Sequence, residues 1–310
     1  MKLNKNDYRL LRELQRDGSA SYSDLSDKLG ITAKTVAKKI ERLLSSQVIS
    51  IRAQPNPYKL GLLASALIAI KTDPSKNEQV CEYLAENFYV NLVQTVFGRL
   101  DILTIVYFPN WELLHEFINN ELYQIDGVLE VEFYFIKEIF KRYERFFEKE
   151  LFTNGQAKLK ETDWKIIKEL AKDGRANPNG LAEKADIHVS TVYRRIEALF
   201  KNGVIKISAI PNPSRLTPYS ANAYLTLDVD PAQVDNVCKC LYNYPEVHFI
   251  MTMNNRSGVI VCTHSKNNEI LYQFIQKNIS HLKGILKMET FMRAMVKKTY
   301  YGWMIENSVQ

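Results

Sequence analysis

The chain has 310 residues, of which 46% are hydrophobic and 25% are charged, and its formal net charge is +6. This length and composition are typical of about two soluble globular domains. Four cysteines exclude a disulfide framework, and the longest apolar run, residues 60–70, is too short to cross a membrane. The charged N-terminus lacks a signal-peptide core, so we expect a cytoplasmic protein. The cysteines and histidines show no metal-ligand spacing, and we expect neither a metal nor a cofactor.

The positive charge is concentrated in two separated blocks. Residues 1–60 carry 12 Lys/Arg against 6 Asp/Glu, and residues 156–216 carry 12 against 7. The segments between and after them carry 8 against 15 and 9 against 7. The distribution predicts a polyanionic partner for the two basic blocks and not for the whole surface.

The sequence contains an internal duplication. Residues 7–60 align without a gap with residues 163–216, and 22 of these 54 positions are identical. Weaker similarity continues at an offset of 157, where Cys81 aligns with Cys238. A period of about 156 residues is too long for a solenoid repeat, so we interpret the chain as a two-module protein fused to itself.

The start of each copy predicts three short helices. In the first copy, Asp17-Gly18 ends the first helix, Ser21 caps the second, Gly30 closes it and Thr32 caps the third. Short β-prone segments follow and predict a small strand or wing. The Pro-Asn-Pro segments that begin at 55 and 211 predict a stiff hinge into the next module.

The pattern changes to strands from residue 65. Each copy then has the order β-α-β-β-α-β, which is that of the ferredoxin-like split βαβ unit. The predicted fold class is α+β, with two winged helix-turn-helix domains and two ferredoxin-like domains in tandem duplication. The predicted domains are winged helix-turn-helix 1 (1–56), ferredoxin-like domain 1 (62–142), a linker (143–160), winged helix-turn-helix 2 (161–212) and ferredoxin-like domain 2 (218–303).

The third predicted helix of each copy has one apolar face and one basic face. TVAKKIERL at 35–43 recurs as TVYRRIEAL at 191–199. At 100° per residue, Val36, Ile40 and Leu43 share the inner face, and the cationic side chains occupy the outer face and a flank. Such a helix fits the major groove of DNA, although a charged outer face on a lone helix is usually only solvated. The candidate DNA-binding residues are Thr32, Lys34, Thr35, Lys38, Lys39, Arg42, Ser190, Thr191, Tyr193, Arg194 and Arg195.

These residues give each half a resemblance to the Lrp/AsnC (feast/famine) family of transcription factors. The resemblance covers nearly the whole chain, twice, and includes Asp17-Gly18, Val48-Ile49 and the segment 57–61. It implies a winged helix-turn-helix followed by a ferredoxin-like effector and assembly domain. Members usually pair through the latter domains and often assemble further, so we expect self-association within the chain and between chains.

The resemblance also implies a small effector, often an amino acid, bound near a Gly-x-x-Asp turn. Gly98 and Asp101 are the candidate residues, and in the second copy Asn255 and Gly258 stand in their places. The alternative is that Gly98 only supplies a positive φ to a hairpin and Asp101 caps it.

The predicted function is that of a sequence-specific regulator that binds double-stranded DNA and is not an enzyme. One rival is siroheme decarboxylase, whose subunits resemble this family, but residues 93–106 lack the histidines of its strand motif. A second rival is a DNA-packaging protein that binds without sequence preference.

Overall fold

The computed structural model describes residues 3–141, 156–212, 221–254 and 258–298. These residues form two compact units. The helical unit consists of residues 3–61 and 156–212, and the barrel unit of residues 62–141, 221–254 and 258–298. Each unit therefore contains a segment from each copy of the duplication.

The first copy begins with three helices and continues with five strands and two further helices. In chain order they are α1 (Lys5–Arg16), α2 (Tyr22–Leu29), α3 (Ala33–Ser45), β1 (Ile49–Pro55), β2 (Ala64–Thr72), α4 (Asn77–Glu86), β3 (Val90–Phe97), β4 (Ile102–Phe108), α5 (Trp111–Glu116) and β5 (Val128–Lys141). A π-helical turn at Phe117–Glu121 and a 3-10 turn at Leu122–Gln124 extend α5.

The second copy repeats this order. Its elements are α6 (Glu161–Lys172), α7 (Pro178–Ala185), α8 (Val189–Lys201), β6 (Ile205–Pro211), β7 (Ala221–Val229), α9 (Val234–Tyr242), β8 (Val247–Met253), β9 (Gly258–Ser265), α10 (Asn268–Phe274) and β10 (Ile285–Lys298). The predicted α+β class and the two βαββαβ orders are confirmed.

The helix ends follow the local signals in the sequence. The Ser21 side chain accepts a hydrogen bond from the Asp24 amide at the start of α2, and the Thr32 side chain does the same for Thr35 at the start of α3. Gly30 ends α2 in the left-handed conformation, with φ of 67°. These caps satisfy main-chain groups that have no partner inside their helix.

The strand after the third helix, predicted as a small strand or wing, pairs with the equivalent strand of the other copy. β1 and β6 form a two-stranded antiparallel sheet in which Ile49 lies opposite Pro211 and Pro55 opposite Ile205. The main chain also links the copies on either side, since the Asn56 amide donates to Val204 and the Asn212 amide to Val48. The helical unit is therefore an intrachain pair of heads.

Two glycines allow this close contact between the heads. The Gly18 amide donates to the Ile207 carbonyl at 2.9 Å, and the Gly174 amide donates to Ile51 at 2.8 Å. A Cβ on Gly18 would lie 2.7 Å from the Ser208 Cα, which is main chain and cannot rotate away. Asp17-Gly18 thus ends α1, as predicted, and also admits the strand of the other copy.

The barrel unit is one closed eight-stranded barrel built from both copies. The strand order is β10-β3-β4-β2-β5-β8-β9-β7, and β7 pairs with β10 to close it. β5 pairs with β2 through its first part and with β8 through residues 136–141. β10 likewise pairs with β7 and then, through residues 292–298, with β3.

Each copy contributes its own apolar core to the barrel unit, between its strands and its helices. Ile68, Val80 and Phe117 belong to the first core, and Leu225, Val237 and Leu271 belong to the second. The aligned residues Cys81 and Cys238 are buried in these cores. No helix among the described residues is long and apolar enough to span a membrane.

The predicted linker 143–160 lies outside the described residues as far as residue 155. Residues 156–160 have no regular secondary structure and lead into α6. The end of the predicted second ferredoxin-like domain, residues 299–303, also lies outside the described part.

Replacing Gly18 with Ala should lower the free energy of unfolding by about 1–3 kcal/mol, because the added methyl group collides with the main chain of β6. Gly180→Ala is the matched control, since a Cβ there meets nothing within 4 Å. Because Gly180 lies inside α7, alanine should stabilise that helix by up to about 1 kcal/mol. Urea unfolding followed by circular dichroism measures both. Equal effects of the two substitutions would contradict the proposed close contact.

Candidate nucleic-acid interface

The third helix of the first copy, α3, is held in place by its apolar face; α3 and its counterpart α8 are the candidate recognition helices. Val36, Ile40 and Leu43 are at most 2% exposed, which confirms the predicted inner face. Lys34 and Lys38 are exposed on the outer face. Neither has an ion-pair partner among the described residues, so both ammonium groups are available to an external anion.

A buried aspartate in α1 fixes the flank of α3. The Asp7 side chain is fully buried, and its Oδ1 atom accepts from Lys39 Nζ and from Arg42 Nη2, each at 2.7 Å. Its Oδ2 atom accepts from the Asn4 amide at 2.9 Å, which completes a capping box at the start of α1. One carboxylate therefore terminates α1 and anchors α3.

The electrostatic environment keeps Asp7 ionised. Burial alone raises the pKa of this carboxyl group, but the hydrogen bonds from Lys39, from the Asn4 amide and from Arg42 outweigh it and hold the pKa below 3.8. A buried carboxylate of this kind is stable only while its cationic partners are in place.

The second copy reproduces the anchor with a single arginine. Asp163 is fully buried, and Arg195 binds both of its oxygens through Nε and Nη2. The Lys160 amide donates to Asp163 Oδ2 at 2.7 Å. The hydrogen bonds to Asp163 raise the pKa of Arg195.

These contacts involve three residues of the predicted DNA-binding set, Lys39, Arg42 and Arg195. The Lys39 and Arg195 side chains are 15% and 23% exposed and point to the carboxylates of their own heads, so they hold the helices rather than face outward. Arg42 also binds Asp7, but 46% of its side chain stays exposed. Sequence periodicity placed Lys39 and Arg195 on the flank and did not show which way the long side chains turn.

The N-terminal ends of the two recognition helices differ. In α3 the Thr32 and Thr35 hydroxyl groups are 2.8 Å apart, and in α8 His188 Nδ1 lies 2.8 Å from Ser190 Oγ. Arg194 and Tyr193 are exposed on α8, and the tyrosine is 60% exposed. Thr191 is half-buried, and its amide donates to the His188 carbonyl. The outer faces of α3 and α8 therefore present different chemical groups.

The predicted effector residues lie at the β3–β4 turn of the barrel unit. A Cβ on Gly98 would meet the Phe291 ring at 2.9 Å, so this glycine allows a close approach between the copies. Asp101 accepts from the Thr72 amide at 2.8 Å and from Lys71 Nζ at 3.0 Å. The carboxylate thus already has partners within its own copy. Asn255, which corresponds to Gly98 in the second copy, lies outside the described residues.

The same turn carries an arginine that sequence reasoning missed. Arg99 donates to Glu132 at 2.7 Å, to Glu289 at 3.0 Å and to Glu130 at 3.2 Å. The hydrogen bonds to Glu132 and Glu289 raise the pKa of the guanidinium group. Since Glu289 belongs to β10, this cluster joins the two copies across the barrel. Only the pairing of distant strands brings the four residues together.

Two histidines of the second copy meet inside the barrel unit. His248 on β8 and His264 on β9 approach to 3.0 Å between their Nδ1 atoms. Burial, with nearby positive charges, lowers the pKa of both rings. No group of three or more potential metal-binding side chains occurs among the described residues. The two rings are half-buried and contact each other.

Replacing Asp7 with Asn should destabilise the protein by about 3 kcal/mol at neutral pH, because Lys39 loses its buried counter-charge. The folded pKa of Asp7 lies below its unfolded value of 3.8, so its contribution is complete above that value and is lost as the pH falls through the folded pKa.

Unfolding curves at several pH values between neutral and about pH 3 test this prediction. Asp7→Asn should flatten the acid loss of stability relative to the unsubstituted protein. The exposed Asp27→Asn is the control and should leave the profile unchanged. Parallel acid profiles for Asp7→Asn and the unsubstituted chain would contradict the assigned role.

Three models of known protein families together match most of the chain. A family model for winged helix-turn-helix DNA-binding domains matches residues 3–50 and 159–206. A Lrp/AsnC ligand binding domain model matches residues 65–146. A model of the PF0864 C-terminal dimeric alpha+beta barrel domain matches residues 222–306.

Individual relatives agree with these family models. The HTH-type transcriptional regulator PH0140 of Pyrococcus horikoshii is 35% identical over 133 residues, which are 43% of this chain and 84% of that protein. The HTH-type transcriptional regulator FL11 of Pyrococcus furiosus is 28% identical over 141 residues, 45% of this chain and 92% of that protein. The siroheme decarboxylase NirDL shares the fold over 97% of this chain and 96% of its own, with a TM-score of 0.67 and 17% identity. The matches to the family models and to PH0140 show that the chain belongs to the Lrp/AsnC family of HTH-type transcriptional regulators.

Proposed function

We propose that the chain regulates transcription in the cytoplasm by binding double-stranded DNA with the outer faces of α3 and α8. One observation carries this proposal: exposed cations lie on both recognition helices, while a buried aspartate fixes each helix. Lys34 and Lys38 of α3 and Arg194 of α8 supply positive charge in the major groove of the DNA and beside the phosphates that flank it. Thr32, Ser190 and Tyr193 stand near the helix starts, where side chains reach base edges.

The two heads read one operator together. β1 and β6 join them through main-chain hydrogen bonds, so the second head is always close to DNA that the first has bound. This arrangement gives the second contact a high effective concentration. It supports specific binding to paired half-sites more than packaging of DNA without sequence preference.

The barrel unit is the place where we propose that a small effector, such as an amino acid, acts. The match to a Lrp/AsnC ligand binding domain supports this role for the first copy. Gly98 and Asp101 remain the proposed effector residues, but Asp101 must then exchange or share its bonds to Thr72 and Lys71. Further association between chains through this unit is part of the same proposal.

An enzymatic function similar to that of NirDL is the alternative. The full-length likeness in fold and the half-buried His248–His264 pair are the observations that favour it. We propose that the chain is not an enzyme, because its curated relatives with higher sequence identity are named as regulators. A siroheme absorption band retained by the purified protein after incubation and gel filtration would support the alternative.

Replacing Lys38 and Arg194 with Ala should weaken binding to the operator by about tenfold or more. Each lost phosphate contact should also reduce the slope of log affinity against log salt by about 0.9. Fluorescence anisotropy with labelled duplexes measures both quantities.

The matched control replaces two exposed lysines of the barrel unit, Lys239 and Lys283, with Ala. It changes the net charge equally and should leave affinity unchanged. Thermal unfolding should show that Lys38→Ala and Arg194→Ala retain the fold, since both side chains are exposed. A double variant with unchanged affinity and salt slope would refute the proposed docking.

Selection of bound duplexes from a random pool should return two dissimilar half-sites. Lys34 and Ala37 of α3 correspond to Ser190 and Tyr193 of α8, so the two helices offer different groups to the bases. Ser190→Lys combined with Tyr193→Ala gives the second head these residues of the first and should shift the selected site towards a palindrome. A palindrome selected by the unsubstituted protein would contradict this prediction.

A further inference from the structure

A second basic surface lies on the helical unit, away from the recognition helices. Arg9, Arg12 and Arg16 follow one another along α1, and Lys28 at the end of α2 stands beside them. With Glu13 and Leu29 they line a shallow depression with a cavity volume of about 120 Å³. We call the surface formed by Arg9, Arg12, Arg16 and Lys28 the α1 face.

The α1 face is organised by contacts between its own side chains. Glu13 lies 3.0 Å from Arg16 and 3.7 Å from Lys28, so one carboxylate holds two cations. The Arg9 guanidinium donates to the main-chain carbonyls of Lys28 and Leu29 at the end of α2. Arg12 has no ion pair or hydrogen bond from its side chain within the described ranges. Four cations against one carboxylate leave the face with an excess positive charge.

The second copy carries the same surface in different residues. At the offset of 156, Arg9, Arg12, Arg16 and Lys28 become Lys165, Lys168, Lys172 and Lys184, and Glu13 becomes Glu169. Glu169 again holds two of the cations, Lys172 at 2.8 Å and Lys184. We call the surface formed by these four lysines the α6 face. All four cationic positions have kept their charge, although three have changed residue.

The recognition helices have diverged in a different way. Of the two exposed lysines on the outer face of α3, only Lys38 has a cationic counterpart in α8, Arg194, since Lys34 corresponds to Ser190. A surface that reads bases must change when its target sequence changes. A surface that binds phosphates need not, because the DNA backbone is the same at every sequence and accepts either Lys or Arg.

The α1 face is distinct from the surface proposed to read DNA. Asp7 points from α1 to Lys39 and Arg42 of α3. Arg16 follows nine positions later, and at 100° per residue it lies on the opposite side of α1. Arg9 and Arg12 lie within about 40° of that opposite side. DNA seated on α3 therefore leaves the α1 face available to another segment.

We propose that the α1 and α6 faces bind the phosphate backbone of DNA that flanks the half-sites read by α3 and α8. This inference rests on the proposed function and adds a sequence-independent contact to it. The flanking duplex then bends or wraps towards the first helix of each head. Such binding increases affinity for long DNA without changing the sequence that the protein prefers.

The test compares a short duplex that covers only the two selected half-sites with a duplex extended on both sides by about three helical turns of unrelated sequence. The variant carries Arg12→Gln, Arg16→Gln, Lys168→Gln and Lys172→Gln, because glutamine is a good helix former and these side chains are not buried. We expect the variant to bind the short duplex like the unsubstituted protein. It should bind the long duplex at least tenfold more weakly, with a salt slope reduced by about 0.9 per lost contact.

A charge-matched control replaces four exposed lysines of the barrel unit with Gln, at Lys239, Lys277, Lys283 and Lys287. It should behave like the unsubstituted protein on both duplexes. Equal affinity of the unsubstituted protein and the α1/α6 variant for the long duplex would overturn the inference while leaving the proposed function intact. Failure of the unsubstituted protein to bind either duplex would instead overturn the proposed function.

Discussion

Main-chain hydrogen bonding between the two copies is the constraint on which the architecture depends. β1 has β6 as its partner in a two-stranded sheet, and the second halves of β5 and β10 pair with strands of the opposite copy. Unpaired strand edges cost free energy when they are buried and invite aggregation when they are exposed. Each copy therefore needs the other to complete both its head and its barrel, and fusion supplies that partner at a fixed ratio.

Local signals in the sequence predicted most of the elements but not their pairing. Ser21, Gly30 and Thr32 predicted both ends of α2 and the start of α3, because capping depends on residues only a few positions apart. The pairing of β1 with β6 depends on contacts about 156 residues apart in the chain. The short β-prone segment alone did not show whether its partner strand belongs to the same copy or to the other copy. The duplication itself was the one available signal, since two equivalent strands can complete each other.

The sequence predicted the buried face of the third helix in each head, but it predicted the orientation of the charged side chains only in part. Apolar spacing identified Val36 and Ile40 as buried, because helical periodicity fixes the direction of each Cβ. It could not show that Lys39 turns inward, since a long side chain on a flank reaches either solvent or core. The informative residue was Asp7, an acidic group repeated at 163 within an apolar helix face. A buried carboxylate requires a cation, and the third helix of the same head, α3 or α8, supplies it.

This requirement explains one divergence between the copies from contacts inside each head. Asp7 is satisfied by two cations, Lys39 and Arg42, because an ammonium group gives only a single point contact. In the second copy, Arg195 spans both oxygens of Asp163 with its planar fork. A second cation is then unnecessary, and alanine occupies position 198, where the first copy has Arg42. The change from arginine to alanine therefore accompanies the change from Lys39 to Arg195. The outer faces of α3 and α8 differ separately, at Thr32, Lys34, Ala37 and their counterparts.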